Sequence, residues 1–232
     1  MNRGRNIIVS LLVAATCVVS AQAGSNYATT QFVWNKNDNS WAYYNLDANN
    51  KLVLLPAENV ESAAWLNDNG VPVPVPYWSN PGPGYPFVAA NTTTQRLHRD
   101  FCCGAVYLPG KSLLLDPGTQ RSEVVYLVPT VAEGTKAQLY YGFTDIDCHG
   151  GDGVKWYVRY YSAATKKWKN VVTPGTLFSD GSHCSDDTYA TTTLNKVKNV
   201  PVSTGDRFAW IVENNGDPNY DSTAVSAIVT LP

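Results

Sequence analysis

Two segments of this chain share one pattern: GDGVKWYV at residues 151–158 and GDRFAWIV at residues 205–212. Each opens with a Gly-Asp pair, which suits a tight turn because glycine tolerates unusual backbone angles and aspartate can hydrogen-bond its own backbone. Each continues with a large apolar residue at every second position, the side-chain period of a strand that buries one face. Both segments therefore predict a turn that leads into a core strand, with Trp156 and Trp210 in the core.

The rest of the chain also predicts β-structure. Apolar residues at helical spacing are not sustained anywhere, whereas Pro, Gly, Thr, Asn and Asp recur throughout. Val, Thr, Tyr and Trp, which strands prefer, are abundant. Many short strands separated by turns predict an all-β fold, an antiparallel β-sandwich of the jelly-roll type. The candidate strands are residues 31–35, 41–45, 51–55, 111–115, 123–129, 137–145, 154–162, 169–172, 189–197, 207–213 and 224–231.

Residues 1–23 have the composition of a signal peptide. They contain two arginines near the start, an apolar run too short to span a bilayer, and the small-x-small sequence AQA at the end. Cys17 raises the alternative of a lipoprotein signal, but Thr16 precedes it where a small Gly or Ala is expected. We therefore expect residues 24–232 to form one exported β-sandwich domain, either secreted or periplasmic.

The charge of the predicted mature chain argues against a nucleic-acid partner. The whole sequence carries 17 basic and 19 acidic residues, and its formal net charge of −2 becomes −4 without Arg3 and Arg5. No run of Lys or Arg extends beyond KKWK at residues 166–169, so the chain lacks the electrostatic footprint of a nucleic-acid or anionic-membrane partner. After the leader, no segment is long and apolar enough to cross a membrane, and we expect no membrane insertion.

Four cysteines remain in the predicted mature chain: Cys102, Cys103, Cys148 and Cys184. An even count in an exported protein predicts one or two disulfide bonds. Cys148 and Cys184 lie in polar loops, which favours a bridge between them and leaves the two neighbours as a rare vicinal disulfide. In the alternative pairing, the two neighbours reach Cys148 and Cys184 separately. A zinc site made by those two cysteines and the histidines beside them is disfavoured, because an oxidising environment removes thiolate ligands.

Aromatic side chains in predicted loops are the first candidates for ligand contacts. Trp65, Trp78 and Tyr85 fall in or beside the irregular, proline-rich residues 71–91. Sugar rings have apolar C–H faces and polar rims, so an exposed aromatic ring beside polar groups is a common way to hold a glycan. The alternative is that these rings fold back over the sandwich as a lid.

A second set of aromatic residues lies on a predicted strand. Tyr157, Arg159 and Tyr161 share the face of that strand opposite to Trp156. A stripe of this kind is more often sandwich core than a ligand platform, so the loop aromatics are the preferred candidates.

Polar candidates accompany the loop aromatics. His98 lies close in sequence to Arg96 and Arg99, and together with Arg121 it could form a small positive spot for a carboxylated ligand. The alternative for His98 is a hydrogen-bonded structural histidine. Asp221, in the last long loop, is a candidate partner for sugar hydroxyls.

Acidic residues also suggest two kinds of chemistry. Asp145, Asp147 and Asp217 are candidates for a structural calcium ion, because oxygen-rich loops suit calcium, but their spacing matches no twelve-residue calcium loop. Solvated turn residues are the alternative, and no other cofactor is expected. A catalytic pair for glycoside hydrolysis can be drawn from Asp145 or Asp147 with Glu213 or Asp221, but a chain with 19 acidic residues offers many such pairs. Because established catalytic motifs are missing from the sequence, we predict no catalytic residue.

The C-terminal part of the chain resembles a known kind of module. GDGV and GDRF each precede a strand, and a loop containing DST at residues 221–223 leads into a terminal strand. This layout is similar to bacterial jelly-roll modules of the carbohydrate-binding type that accompany secreted glycan-degrading enzymes. In that pattern a mid-chain histidine precedes a strand that ends in proline, as His98 precedes residues 124–129 here. The similarity covers roughly residues 65–232, and it implies a carbohydrate-associated sandwich in which binding is more typical than catalysis.

We therefore predict an exported, non-catalytic protein that binds a glycan or polysaccharide, with aromatic rings against sugar faces and polar groups on hydroxyls or a uronic carboxylate. The predicted contact residues are Trp65, Trp78, Tyr85, His98, Arg121 and Asp221. The alternatives are a secreted polysaccharide hydrolase or lyase, and an adhesin- or toxin-type factor that binds protein. The sequence gives no indication of the oligomeric state.

Overall fold

A computed structural model gives the fold. It describes residues 24–27, 41–46, 51–55, 57–61, 65–79, 87–101, 104–119, 121–147, 151–178, 194–217 and 221–232. The predicted signal peptide, the candidate strand at 31–35, Tyr85, and the cysteines Cys102, Cys103, Cys148 and Cys184 lie outside the described residues. Within the ranges given, no helix is long and apolar enough to cross a membrane.

The described residues contain eighteen strands, numbered along the chain and arranged in three sheets. The eight-stranded sheet consists of β1 (Gly24–Tyr27), β4 (Ala57–Glu61), β6 (Val75–Ser79), β7 (Phe87–Ala90), β10 (Leu113–Asp116), β12 (Lys136–Asp145), β16 (Asn195–Pro201) and β18 (Thr223–Leu231). The seven-stranded sheet consists of β2 (Trp41–Leu46), β3 (Leu52–Leu54), β11 (Arg121–Leu127), β13 (Val154–Ser162), β14 (Lys167–Asn170), β15 (Gly175–Leu177) and β17 (Arg207–Asn214). The three-stranded sheet consists of β5 (Leu66–Asn67), β8 (Leu97–Phe101) and β9 (Gly104–Leu108).

All of these strands pair in an antiparallel sense. The eight-stranded sheet has the order β16-β12-β18-β10-β7-β6-β4, with β1 also paired to β18. The seven-stranded sheet has the order β14-β13-β17-β11-β2-β3, with β15 also paired to β13. The two large sheets enclose the main hydrophobic core. The predicted antiparallel β-sandwich is therefore confirmed.

The two Gly-Asp segments form neighbouring core strands, as predicted. β13 and β17 pair directly, with Val158 opposite Trp210. Their alternation turns Trp156 and Trp210 into the core between the large sheets. The same alternation places Tyr157 and Arg159 on the opposite, outer face of the seven-stranded sheet.

The three-stranded sheet adds a third layer on one side of the sandwich. Trp65 and Leu97 pack there against Ala89 and Leu114 of the eight-stranded sheet. The outer face of the seven-stranded sheet has no comparable layer among the described residues, because its small apolar cluster packs only against side chains of that sheet. Among the described residues, the sandwich therefore has one covered side and one side without a covering layer.

Residues 71–91 differ from the prediction of an irregular loop. They contain β6 and β7, which pair with each other and place Trp78 inside the sandwich. Pro76 lies opposite Val60 of β4, one residue beyond the segment of β6 that pairs with β7.

Candidate functional site

Trp65 and Trp78 lie in the hydrophobic core. Trp65 is 0% exposed and packs between the eight-stranded and three-stranded sheets. Trp78 is 3% exposed, and its ring centroid lies 4.5 Å from that of Tyr43. Burial leaves neither ring a face for a ligand, so the structure corrects the prediction that these two residues stack on sugars. They fold into the sandwich, as in the alternative.

The other predicted contact residues are spread over the molecule. His98 is half-buried on β8 of the three-stranded sheet, with its ring 5.8 Å from that of Tyr107. Arg121 begins β11, on the outer face of the opposite sheet. Asp221 is buried just before β18. The structure does not bring these three side chains into one site.

The outer face of the seven-stranded sheet, called the open face below, has an apolar floor edged by aromatic rings. The floor is formed by Val125, Ala209 and Ile211, which are buried among side chains of their own sheet. The rings around it are only half-buried, because no described layer lies above them. They belong to Tyr44, Tyr157 and Trp168.

A buried carboxylate lies among these rings. Glu123 is 1% exposed and is opposite Tyr44 on one neighbouring strand and Ile211 on the other. Arg121 donates to Oε2 of Glu123 from Nη2 at 2.6 Å and from Nε at 3.2 Å. Burial raises the pKa of the Glu123 carboxyl above its usual range, and the charges of Arg121 and Arg159 oppose that rise. Glu123 Oε1 has no hydrogen-bond partner.

Arginines and rings alternate at one end of the open face. The Arg159 guanidinium lies 5.7 Å from the ring centroid of Trp168, and its buried Nε has no hydrogen-bond partner. The Arg207 guanidinium lies 5.5 Å from the ring centroid of Tyr161. The ring centroids of Trp168 and Tyr161 lie 5.3 Å apart, so the two arginine–ring pairs are adjacent. Cation–π contacts therefore hold both guanidinium groups against the sheet.

Charges are balanced at the other end of the open face. Glu213 is opposite Lys155 on β13 and Arg121 on β11. The Tyr157 hydroxyl hydrogen-bonds to Glu213, and burial together with this bond raises the pKa of the tyrosine. This end presents paired groups, unlike the end with Arg159 and Arg207.

A separate acidic cluster lies at one edge of the sandwich, where β10 and β12 end and β13 and β18 begin. It includes the calcium candidates Asp145 and Asp147, which the structure places near Asp221. The Asp147 amide donates to Asp145 Oδ1 at 3.0 Å, and the Ser222 amide donates to Asp147 Oδ2 at 3.1 Å. The members of the cluster are Asp116, Asp145, Asp147, Asp152 and Asp221.

Asp221 is the least satisfied member of this cluster. It is 2% exposed, and neither of its carboxyl oxygens has a hydrogen-bond partner. Burial, reinforced by the surrounding aspartates, raises the pKa of Asp221 to about 8. Burial likewise raises the pKa of Asp116 to about 7. The third calcium candidate, Asp217, donates its amide to Asp152 Oδ2 at 3.1 Å.

The carboxylate oxygens of this cluster are suitable ligands for a hard cation, but the distances between them are not suitable for one. Carboxylate oxygens are the ligands that calcium prefers. Within the described ranges, however, no three His, Cys, Asp or Glu side chains are spaced closely enough to hold a metal ion. The carboxylates would have to turn inward when an ion binds.

Comparisons with known proteins give remote likenesses of fold. No protein-family model matches the chain, and no curated protein matches it. Among solved structures, it is similar to the K3 cleaved adhesin domain of Lys-gingipain from Porphyromonas gingivalis W83, with a TM-score of 0.38 and 10% identity over 83% of this chain and 91% of that one. It is also similar to TmCBM61 in complex with beta-1,4-galactotriose, with a TM-score of 0.32 and 10% identity over 76% of this chain and 99% of that one.

A third similar structure is CBM28, a carbohydrate-binding module specific for non-crystalline cellulose. Its TM-score is 0.30, with 8% identity over 59% of this chain and 77% of that one. Carbohydrate-binding modules and adhesin domains are thus among the structural neighbours, in keeping with the resemblance stated from the sequence. With TM-scores below 0.5, these likenesses carry no argument about the ligand of this chain.

The open face contains candidate residues that the sequence did not single out. Tyr44 and Trp168 gave no signal of their own, because only the pairing of β2 and β14 with the central strands brings them to this face. Tyr157 and Arg159 did give a signal, the stripe opposite Trp156. Whether that stripe is covered depends on the layers around it, which the sequence of one strand does not specify.

Proposed function

We propose that this protein binds a glycan on the open face of the seven-stranded sheet. The observation that carries the proposal is an apolar floor edged by the half-buried rings of Tyr44, Tyr157 and Trp168, on a face that no described layer covers. Apolar floor and polar rim are the two features that a sugar ring requires of its site.

The spread of the rings favours an oligosaccharide over a single sugar. Trp168 lies on β14 and Tyr44 on β2, which are four strand spacings apart in the sheet. At about 4.8 Å per spacing, this is roughly 19 Å. A ligand that contacts both rings must therefore extend across the sheet.

Charged groups on the open face are held in place before a ligand arrives. Glu123 is too buried to contact a ligand directly, but it fixes the Arg121 guanidinium through two hydrogen bonds and attracts Arg159. We assign Glu123 a positioning role. Guanidinium groups fixed in this way lose little conformational entropy when they bind sugar hydroxyls.

Calorimetric titration with a panel of polysaccharides tests the proposal. Trp168→Ala and Tyr157→Ala should each weaken binding by about 1–3 kcal/mol, the scale of losing a well-packed aromatic contact. Tyr107→Ala is the matched control, because Tyr107 is a half-buried aromatic on the three-stranded sheet. Absence of wild-type binding to every polysaccharide contradicts the proposal, as does an equal loss in the control.

The proposed activity is non-catalytic. Glu123 and Glu213 do share the open face, but Glu123 is buried and paired with Arg121. Incubation with the polysaccharide that binds, followed by assay of reducing ends and unsaturated sugars, tests this point. Release of such products by the wild type but not by Glu123→Gln would identify a hydrolase or lyase instead.

We also propose that the acidic cluster binds a structural calcium ion. Asp221 supports this, because its two buried oxygens have no hydrogen-bond partner and a bound ion would coordinate them. Asp116, Asp145 and Asp147 would supply further oxygens, and the ion would offset the repulsion among these carboxylates. Titration of chelator-treated protein with CaCl2 should show binding that Asp221→Asn removes. Unchanged binding in Asp221→Asn, or none in the wild type, excludes this site.

We infer in addition that the protein is exported, secreted or periplasmic, with residues 1–23 removed. The mass of protein recovered from an expressing bacterium should then correspond to a chain that begins at Gly24. A chain that retains the leader contradicts this inference. The same measurement, repeated after reduction and alkylation, counts the disulfide bonds among Cys102, Cys103, Cys148 and Cys184.

A further inference from the structure

We propose that the glycan is anionic, and that its carboxylate or sulfate group binds between Arg159 and Arg207. This inference rests on the proposed glycan site of the open face and names the class of sugar that the site selects. The supporting observation is that the two ends of the open face differ in charge.

The register of the sheet places the two arginines on either side of a small residue. Arg159 on β13 is directly opposite Ala209 on β17, and Arg207 precedes Ala209 by two residues on the same face. Such diagonal neighbours lie about 7–8 Å apart across a sheet. Ala209 has only a methyl group and is itself buried among the side chains of this face, so no larger side chain separates the two arginines at that position.

Neither arginine is neutralised by a carboxylate in the part of the chain that the structure describes. The ion pair of Glu123 is with Arg121, whereas Arg159 and Arg207 contact the rings of Trp168 and Tyr161. Glu123 attracts Arg159 at longer range, but its hydrogen bonds go to Arg121. Arg159 Nε remains a buried donor without an acceptor. This end of the face therefore carries two positive charges and one unused buried donor.

Two lysines of the same hairpin lie on the other face of the sheet, because Lys169 is opposite the core-facing Tyr160 and Lys167 is opposite Ser162. An open recess of about 480 Å³ borders the β13–β14 hairpin, next to Trp168. Lys167 and Lys169 line it, and Lys169 Nζ lies 4.9 Å from the ring centroid of Tyr160. The positive charge of the open face at this end therefore comes from Arg159 and Arg207, and because the predicted mature chain is acidic as a whole, it is a local feature.

Guanidinium chemistry explains the choice of an anionic sugar. Arginine forms charge-assisted hydrogen bonds with planar carboxylates and with tetrahedral oxyanions, and these are stronger than bonds to neutral hydroxyls. The ring of the same sugar residue would lie against Trp168 or Tyr161. A carboxylate and a sulfate ester share this recognition, so the source of the anion is decided by experiment.

Matched polysaccharide pairs test the inference. The first pair is polygalacturonate and its carboxyl-reduced, neutral form, and the second is a sulfated galactan and its desulfated form. The wild type should bind the charged member of one pair about ten- to a hundredfold more tightly than its neutral partner. That preference should weaken between about 50 and 500 mM NaCl, because salt screens the charges.

The double variant Arg159→Gln, Arg207→Gln should lose this preference and bind both members of the pair equally. Arg207→Gln alone should reduce it and is the safer variant for folding, because Arg207 is exposed. Arg96→Gln is the control, since Arg96 pairs with Asp68 away from the open face.

Three outcomes overturn the inference. Equal affinity for charged and neutral members of both pairs overturns it and leaves the glycan site intact. Binding to none of the four polysaccharides, nor to the wider panel, overturns both proposals. A preference that survives in the arginine variants, or that disappears in Arg96→Gln, shows that the anion binds elsewhere.

Discussion

Asp152 and Asp206 occupy the same position in the two Gly-Asp turns, but their surroundings differ. Asp206 accepts hydrogen bonds from the Tyr160 hydroxyl, from the Ser203 amide at 2.7 Å and from the Ala163 amide at 2.9 Å. Asp152 accepts the Asp217 amide through one oxygen, and its other oxygen is buried without a partner. Asp206 therefore joins the start of β17 to the β13–β14 hairpin, whereas Asp152 belongs to the acidic cluster.

Replacement of Asp206 tests its structural role. Asp206→Ala removes the acceptor from three donors in a buried setting, and we expect a loss of about 3–5 kcal/mol in the free energy of unfolding. Urea denaturation measures this loss. The exposed Asp68→Ala serves as the control, and a loss for Asp206→Ala below about 1 kcal/mol would contradict the assigned role.

Substitution of a glycine is also expected to cost different amounts of stability in the two turns. Gly153 and Gly205 have φ values of +73° and +84°, which strain any other residue. A Cβ at Gly153 would lie 1.9 Å from the Leu177 carbonyl oxygen, whereas the nearest atom to a Cβ at Gly205 is 3.7 Å away. We expect Gly205→Ala to cost about 1–2 kcal/mol and Gly153→Ala at least about 3 kcal/mol. Equal costs in thermal denaturation would show that the backbone at residue 153 moves aside.

At the scale of strands and sheets, some elements could be predicted from sequence and others could not. β13 was predictable because buried and less buried residues alternate along its nine residues. β17 was predictable because Phe208, Trp210 and Val212 recur at every second position, although the residues between them are buried as well. β5, β8 and β9 were not, because these short strands gain their stability by packing on a sheet that is distant in sequence. The same third layer buries Trp65, which explains why a loop tryptophan was mistaken for a ligand contact.

Two tryptophans distinguish the covered side from the open side. Trp65→Ala should cost about 3–5 kcal/mol of stability, the usual range for a buried aromatic, while the folded fraction keeps its affinity for the glycan. Trp168→Ala should cost little stability, because the ring is half-buried, but should weaken binding. Denaturation and titration of the same two variants measure both effects. Parallel losses of stability and affinity in both variants would contradict this division.

At the scale of the whole molecule, the acidic cluster lies where both large sheets meet. Its members flank β10, β12 and β18 of one sheet and β13 of the other. The Asn214 side chain at the end of β17 donates to the Gly118 carbonyl, which follows β10, at 2.9 Å. An ion bound at this edge would therefore stabilise the sandwich as a unit and not one strand alone.

Calcium should raise the melting temperature of the chelator-treated protein by about 3–10 °C, which corresponds to about 1–3 kcal/mol for a chain of this size. The rise follows because the ion would bind the folded state through Asp221 and its neighbours, which are dispersed in the unfolded chain. Asp221→Asn should abolish the rise, and Asp68→Asn should leave it unchanged. A similar rise with all three proteins would indicate nonspecific binding of calcium.

The third layer over the eight-stranded sheet also limits how many glycan chains one molecule could bind under the proposed function. Because the three-stranded sheet covers that side, the described residues leave one sheet face, the open face, for the proposed glycan site. With that one proposed site, a single molecule would hold one polysaccharide chain and would not bridge two. Crosslinking, and the gain in avidity that comes with it, would require a second copy or a second domain. Agglutination of polysaccharide-coated particles would therefore report on self-association and not on affinity.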